Sequence, residues 1–205
     1  GTGIIKAKVL KTAGIGESLL DHEIGTTLLE MSNPTIGLAA HAGQVDVRIT
    51  AKADTVSFAD EMIASVEGRI RQRVGKFIFG VDNDEIENVL VKLLAANGLT
   101  LAVSETGVGD PIGQRLKRVP GNETVLIEHE IYDSPVSVQS TLNLDSSLPI
   151  REMAEQAAEA ICKSTKASAG IAVISHPDMD DQHADSEGGT AIAVYTPELT
   201  RSRVY

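Results

Sequence analysis

Cysteine and aromatic residues are scarce in this chain of 205 residues, and both scarcities restrict what it can be. Cys162 is the only cysteine, which excludes an intrachain disulfide and any metal site built from several thiolates. We expect it to be a buried structural thiol within a helix. Tryptophan is absent, and phenylalanine and tyrosine number three each, so the core must consist mainly of small and branched aliphatic side chains.

Long hydrophobic runs are also missing. The apolar stretches are no longer than a β-strand, so the sequence predicts no membrane span and no membrane partner. The first residues lack the basic and apolar regions of a signal peptide, and we therefore expect a cytoplasmic protein. A hydrophobic content of 42% is enough for the core of one large domain or two small ones.

An excess of positive charge is absent, and the negative charge is unevenly placed. Residues 1–75 carry 8 Lys and Arg against 9 Asp and Glu, whereas residues 76–205 carry 10 against 20, which together give the net charge of −11. The difference indicates two domains. Neither has the basic surface that a phosphate backbone requires, so we expect no nucleic-acid partner.

The first 79 residues predict a small α+β domain. Apolar and polar residues alternate strictly in Val45–Ala51 and clearly in Ile4–Lys11, as expected for strands with one buried face. Apolar residues at helical spacing predict one helix over residues 18–31 and another over residues 58–74. A further strand is expected at residues 35–40.

Residues 80–205 predict a three-layer α/β domain, because strands alternate with helices. The segment 136–144 fits neither pattern clearly. Helices are expected at residues 86–94 and 149–166, and strands at residues 99–103, 124–132, 170–174 and 189–195.

The stretch from Thr100 to Gly121 has the order of a strand, a site loop and a helix. Ser104, Glu105 and Thr106 follow the apolar run 99–103 directly, with Gly107 and Gly109 behind them. Ligands of open α/β sheets bind at the carboxyl ends of strands, so this is the first candidate site.

Several blocks of the sequence resemble the CinA family, the competence/damage-inducible proteins. They include Val9-Leu-Lys-Thr-Ala-Gly-Ile-Gly-Glu-Ser18, Asn33-Pro-Thr35, Val47-Arg-Ile-Thr-Ala-Lys52 and Gly98-Leu-Thr-Leu-Ala102, together with Arg115-Leu and Val119-Pro-Gly121. The resemblance implies a KH-like domain at residues 1–79 and a carboxyl-terminal nicotinamide-nucleotide amidohydrolase-like domain at residues 80–205. Full-length members carry a molybdopterin-binding-like domain in front, and we interpret this chain as a fragment without it.

The family resemblance also implies a homo-oligomer and a nicotinamide nucleotide as ligand. We expect no cofactor. Family members have Ala-Glu-Ser-Cys-Thr-Gly-Gly after the first strand, with the serine as proposed nucleophile. An ungapped comparison keeps Glu105 but places Thr106 at the serine and Asp110 at the second glycine. A carboxylate there repels a phosphate. Tyr132 is retained from a second family segment, whose lysine is lost.

The resemblance therefore gives a set of candidate residues and two hypotheses. The catalytic candidates are Glu105, Thr106 and Tyr132, and the substrate-binding candidates are Gly107, Gly109, Gly189 and Thr190. We expect catalysis to be lost, which leaves a binding or scaffold role. The alternative is an active nicotinamide mononucleotide deamidase of NAD salvage, with Thr106 as its nucleophile.

Two further motifs have an ordinary explanation beside a functional one. The acidic loop 176–187 offers His176, Asp178, Asp181 and His183 as metal ligands, but their spacing matches no known template, and acidic loops are usually solvated. Gly14-Ile-Gly-Glu17 partly resembles the loop by which KH domains hold a nucleic-acid backbone. It lacks basic neighbours, so a structural or oligomerisation role is expected.

Overall fold

The computed structural model describes residues 3–41, 43–107, 111–175 and 189–205. Their contacts divide the chain into two compact units, Gly1–Val89 and Leu90–Tyr205. Each unit has its own hydrophobic core. Among the helices described, none combines the length and the apolar character needed to cross a membrane.

The first unit is a two-layer α+β structure. Its elements are β1 (Ile4–Ala13), α1 (Glu17–Ile24), α2 (Thr26–Leu29), β2 (Thr35–His41), β3 (Gln44–Ala53), α3 (Val56–Val74) and β4 (Ile78–Val81). The four strands form an antiparallel sheet in the order β2-β3-β1-β4. The predicted α+β fold is confirmed, and β4 is an additional strand.

Apolar and polar residues alternate in β3, and the apolar ones mark the face of this sheet that the helices cover. Val45, Val47 and Ile49 point into the core, whereas Arg48 and Lys52 are exposed on the other face. The long helix α3 buries one residue per turn against the core face, as expected for an amphipathic helix. Those residues are Ala59, Ile63, Val66, Ile70 and Val74.

The single helix predicted over residues 18–31 is wrong, because the chain breaks at Gly25 between α1 and α2. Gly25 has φ +79°, a conformation that disfavours side chains with a Cβ. A Cβ at this position would also lie 2.9 Å from a guanidinium nitrogen of Arg73. That guanidinium donates a hydrogen bond to the carbonyl oxygen of Ile24, which the end of α1 leaves without a helical donor.

The second unit is built on a mixed five-stranded sheet. Its elements are α4 (Ile86–Ala96), which begins just before the division, β5 (Leu101–Thr106), α5 (Ile112–Lys117), β6 (Leu126–Tyr132), α6 (Pro135–Leu142), α7 (Ile150–Thr165), β7 (Ala169–Ser175), β8 (Thr190–Thr196) and β9 (Leu199–Val204). The strand order is β6-β5-β7-β8-β9. Strand β5 pairs in parallel with β6 and β7, and the other two pairings are antiparallel.

Helices cover both faces of this sheet, which confirms the three-layer prediction. On one face α6 and α7 pack against β7 and β8. On the other face Leu101 and Val103 of β5 belong to one hydrophobic cluster with Val91 of α4 and Leu116 of α5. The ambiguous segment 136–144 is largely helix α6, whose first turn is capped by the Ser134 hydroxyl. Strand β9 was not predicted.

The buried thiol is confirmed. Cys162 lies in α7 and donates a hydrogen bond to the carbonyl oxygen of Ala167, with 3.2 Å between sulfur and oxygen. Burial raises the pKa of the Cys162 thiol, and the Glu159 carboxylate raises it further. Cys162 is therefore a packing residue with a low thiolate fraction at neutral pH.

Candidate functional site

Strand β5 carries the candidate catalytic residues within the sheet. The sequence predicted a strand ending at Val103, but pairing with β6 and β7 continues through Glu105, and pairing with β6 reaches Thr106. All six residues of β5 are buried. Ser104, Glu105 and Thr106 are therefore strand residues with fixed directions. Glu105 points toward α5, whereas Ser104 and Thr106 project from the opposite face.

Glu105 is held by three donors. The backbone N–H groups of Ile112 and Gly113, in the first turn of α5, each donate to one of its carboxylate oxygens at 2.9 Å. The ring Nε2 of His129 lies 2.5 Å from Oε1 of Glu105. Negative charge is favoured at this end of a helix. The carboxylate therefore supplies acceptors that the start of α5 needs, and it is only 2% exposed.

His129 is the site residue that sequence reasoning missed. Its side chain is 1% exposed, and its Nδ1 makes no hydrogen bond within the described part of the chain. The sequence of strand β6 gave only a weak signal. His129 shares its side of the sheet with Ile127 and Ile131, but both isoleucines are themselves exposed, so alternation alone does not predict a buried histidine.

Gly113 provides the space that His129 occupies. A Cβ at position 113 would lie 2.2 Å from Cδ2 of the His129 ring, well inside van der Waals contact. The absence of a side chain at Gly113 therefore permits the histidine to reach Glu105. Glu105, Gly113 and His129 thus form one packed unit that joins β5, α5 and β6.

Thr106 is tied to the end of β7. Its hydroxyl oxygen accepts a hydrogen bond from the backbone N–H of Ser175 at 2.8 Å. The same hydroxyl lies 3.4 Å from the carbonyl oxygen of Ser175, to which it can donate. Thr106 is only 3% exposed. Its hydroxyl therefore fastens two parallel strands together.

The predicted substrate-binding residues are partly brought together with Thr106. Thr190 starts β8, and its hydroxyl lies 3.0 Å from that of Ser175, so the three hydroxyl residues are neighbours. The N–H of Gly107 donates to the carbonyl oxygen of Tyr132 at 3.0 Å. Gly189 directly precedes Thr190 in the chain. Gly109 lies outside the described residues.

Tyr132 ends the neighbouring strand β6. Its hydroxyl donates to the Glu130 carboxylate at 2.7 Å. Burial, the hydrogen bond to Glu130 and the negative charge of Glu130 together raise the pKa of Tyr132 to about 12. The phenol is therefore neutral at physiological pH and acts as a hydrogen-bond donor.

This shift predicts a loss of stability in alkali. Between about pH 10 and 12 the unfolded chain loses the tyrosine proton while the folded chain keeps it, so the free energy of unfolding falls as pH rises. Urea unfolding at several pH values from about 9 to 12 measures the slope. The Tyr132→Phe variant should show a shallower slope, and Tyr205→Phe, at the exposed terminus, serves as the control. Equal slopes for all three proteins would contradict the prediction.

The proposed metal ligands His176, Asp178, Asp181 and His183 lie outside the described residues. Across the ranges that are described, no group of three or more His, Cys, Asp and Glu residues is arranged to hold a metal ion. The metal hypothesis for the acidic loop thus stays a prediction.

In the first unit, several cations are already engaged with carboxylates. Lys8 and Arg71 both contact Glu67, at 2.6 and 2.8 Å, and Lys11 lies 3.1 Å from Asp46. Lys6 pairs with Asp60 in the same way. These pairs leave fewer cations available for a phosphate backbone near the loop that follows β1.

Comparison with known proteins shows which family this chain is similar to. Residues 7–80 match the family described as the damage-inducible protein CinA KH domain. A CinA-like protein of Dictyoglomus turgidum is 39% identical over 139 residues, which are 67% of this chain and 34% of that protein. A CinA-like protein of Kosmotoga olearia is 32% identical over 177 residues, which are 83% of this chain and 43% of that protein.

Among solved structures, a CinA superfamily protein from Enterobacter cloacae aligns with a TM-score of 0.50 at 17% identity, covering 60% of this chain and 80% of that one. At this identity the likeness concerns the fold. The chain spans less than half the length of the two curated relatives. The KH-domain match and the relatives that extend beyond it show that this chain belongs to the CinA family.

Proposed function

We propose that the second unit has lost amide hydrolysis and serves its CinA-family protein as a binding or scaffold module. The main support for this proposal is that the Thr106 hydroxyl is buried and hydrogen-bonded to the backbone of β7. A hydroxyl nucleophile requires a base that removes its proton. Within the described ranges its hydrogen bonds go only to backbone groups of β7.

Glu105 is equally unsuited to proton transfer. Both carboxylate oxygens accept hydrogen bonds from the first turn of α5, and Oε1 also contacts His129. Delivering or taking a proton would require breaking contacts that position the helix. Buried charged groups that lose their partners carry a large desolvation cost, so this rearrangement is unfavourable.

The stabilisation of an oxyanion is weakened as well. An oxyanion hole needs backbone N–H groups that are free to face the reacting oxygen. The N–H of Gly107, which directly follows Thr106, is already bonded to the carbonyl oxygen of Tyr132. The Tyr132 hydroxyl is directed to Glu130. These contacts support the loss of hydrolysis, because both groups already have partners within the fold.

Incubation with nicotinamide mononucleotide tests the proposal. We expect no ammonia release above the level of the Thr106→Ala variant. Thr106→Ser, which introduces the residue found in family members, should remain inactive because the hydroxyl stays bound to β7. Circular dichroism of both variants checks their folding.

The alternative is an active deamidase that converts nicotinamide mononucleotide to nicotinate mononucleotide and ammonia. It assigns Thr106 as the nucleophile, with Glu105 and Tyr132 in support. Robust turnover by the native chain that Thr106→Ala abolishes would overturn the proposal and establish this alternative. Calorimetric titration with the same nucleotide then separates a binding module from a scaffold without a nucleotide site.

A further inference from the structure

A cavity of about 490 Å³, a volume typical of small-molecule sites, lies at one end of the sheet of the first unit. Three neighbouring strands form its floor on the face of the sheet opposite α3. Ile5 of β1 lies directly across from Lys52 of β3. Thr50 of β3 lies across from Thr35 of β2 in the same way. The first turn of α3 adds Phe58 to the rim of the cavity.

Lys52 and Asp54 bring two opposite charges to this cavity. Both residues are exposed, and within the described ranges neither side chain has a hydrogen-bond or ion-pair partner. By contrast, the β1 residues Lys6, Lys8 and Lys11 are all paired with carboxylates. The cavity therefore holds one cation and one anion that are available to a ligand.

Hydrogen bonds hold the backbone of Lys52 in place. The side-chain amide of Asn33 accepts from the Lys52 N–H at 2.9 Å and donates to the Lys52 carbonyl oxygen at 2.8 Å. These bonds fasten the chain just before β2 to the end of β3. The aliphatic part of the Lys52 side chain lies beside Gly3, where a Cβ would come within 3.0 Å of its Cε. The segments that line the cavity are therefore bonded to one another without a ligand.

Two large apolar side chains also line the cavity. Ile5 is 68% exposed and Phe58 is 55% exposed. An apolar group placed against them would remove hydrocarbon surface from water, which is favourable. The hydroxyl groups of Thr35 and Thr50 lie on the same face as Lys52, and hydroxyl groups can donate hydrogen bonds to a carboxylate.

We propose that this cavity binds a free α-amino acid with an apolar side chain. The carboxylate of the ligand pairs with Lys52, its ammonium group pairs with Asp54, and its side chain packs against Ile5 and Phe58. Charge selects this class of ligand, because Asp54 repels a simple anion and Lys52 repels a simple cation, whereas a zwitterion is attracted by both. The site lies within the first unit and is independent of the function proposed for the second.

Titration of the whole chain with L-leucine and with L-phenylalanine, followed by amide NMR spectra, tests the site. We expect ligand-dependent shifts at residues 32–35, 50–54 and 58. Two analogues of leucine separate the charges, since isocaproate lacks the ammonium group and isoamylamine lacks the carboxylate. Each should bind at least about fivefold more weakly than leucine, as expected for the loss of one exposed ion pair. Absence of shifts with both amino acids, or equal binding of either analogue, would overturn the proposal.

Lys52→Met and Asp54→Asn each remove one charge at an exposed position, and each should weaken leucine binding at least about fivefold. Arg48→Met is the matched control, because Arg48 is exposed on the same face of β3 but does not line the cavity. It should bind leucine as the native chain does. The amide spectra show whether each variant is folded. Unchanged affinity in folded Lys52→Met or Asp54→Asn, or an equal loss in Arg48→Met, would contradict the assignment.

Discussion

Replacing Gly170 with alanine is expected to lower the free energy of unfolding by about 3 kcal/mol or more. Gly170 lies in β7, directly beneath helix α7. A Cβ there would be 2.0 Å from the carbonyl oxygen of Ala158 and 2.9 Å from the Cβ of Cys162. The first of these neighbours is helix backbone, which cannot rotate away, so α7 and the sheet must move apart. Urea unfolding followed by circular dichroism measures the loss.

Gly68→Ala is the matched control for the addition of one methyl group. Gly68 is exposed within α3, and a Cβ at this position meets nothing within 4 Å. Alanine is favoured over glycine inside a helix, so this variant should gain roughly 0.5–1 kcal/mol. The close approach of α7 to β7 would be disproved if Gly170→Ala unfolded within about 0.5 kcal/mol of the native chain, the usual range for neutral substitutions.

Glu105→Ala is expected to destabilise the second unit by about 3 kcal/mol or more, because three buried groups lose their hydrogen-bond acceptor at a cost of about 1 kcal/mol or more each. The substitution deprives two backbone N–H groups of α5 and the His129 ring of their acceptor. Neither ring nitrogen of His129 would then have a hydrogen-bond partner among the residues that the structure describes. Unfolding of the variant in urea measures the effect.

Glu128→Ala is the control for Glu105→Ala, since Glu128 is exposed on β6 and should change stability by no more than about 0.5 kcal/mol. The comparison separates a structural carboxylate from a catalytic one. If Glu105→Ala kept the stability of the native chain, the carboxylate would be free for chemistry, and the proposed loss of hydrolysis would lose one of its supports.

Local sequence patterns were sufficient for much of the fold. Alternation in Val45–Ala51 predicted β3 because one face of that strand is buried and the other exposed. Helical spacing predicted α3 and α7 for the same reason. Strand β9 was missed because it is an edge strand with an exposed, polar sequence. Its place is set by pairing with β8, which no local pattern reveals.

For the candidate site too, local sequence indicates the position of the residues but not their contacts. The sequence placed its candidate residues Glu105 and Thr106 at the carboxyl end of a buried strand, and both lie in the last part of β5. It gave no account of what those side chains do, because their partners are distant in the chain. Thr106 meets Ser175 across 69 residues, and Glu105 meets His129 across 24. Contacts of this range depend on sheet order, which composition and periodicity do not determine.

The parallel pairing of β5 with β7 has a consequence for synthesis of the chain. Thr100, just before β5, hydrogen-bonds Ser168, 68 residues later. Until that segment has emerged from the ribosome, β5 pairs only with β6, and its other edge is open. Long-range parallel pairing closes slowly because a large loop must be ordered first. The first unit has all its strands much earlier. The strand bearing the candidate site is thus made early in its unit but is enclosed on both sides only after β7 has been synthesised.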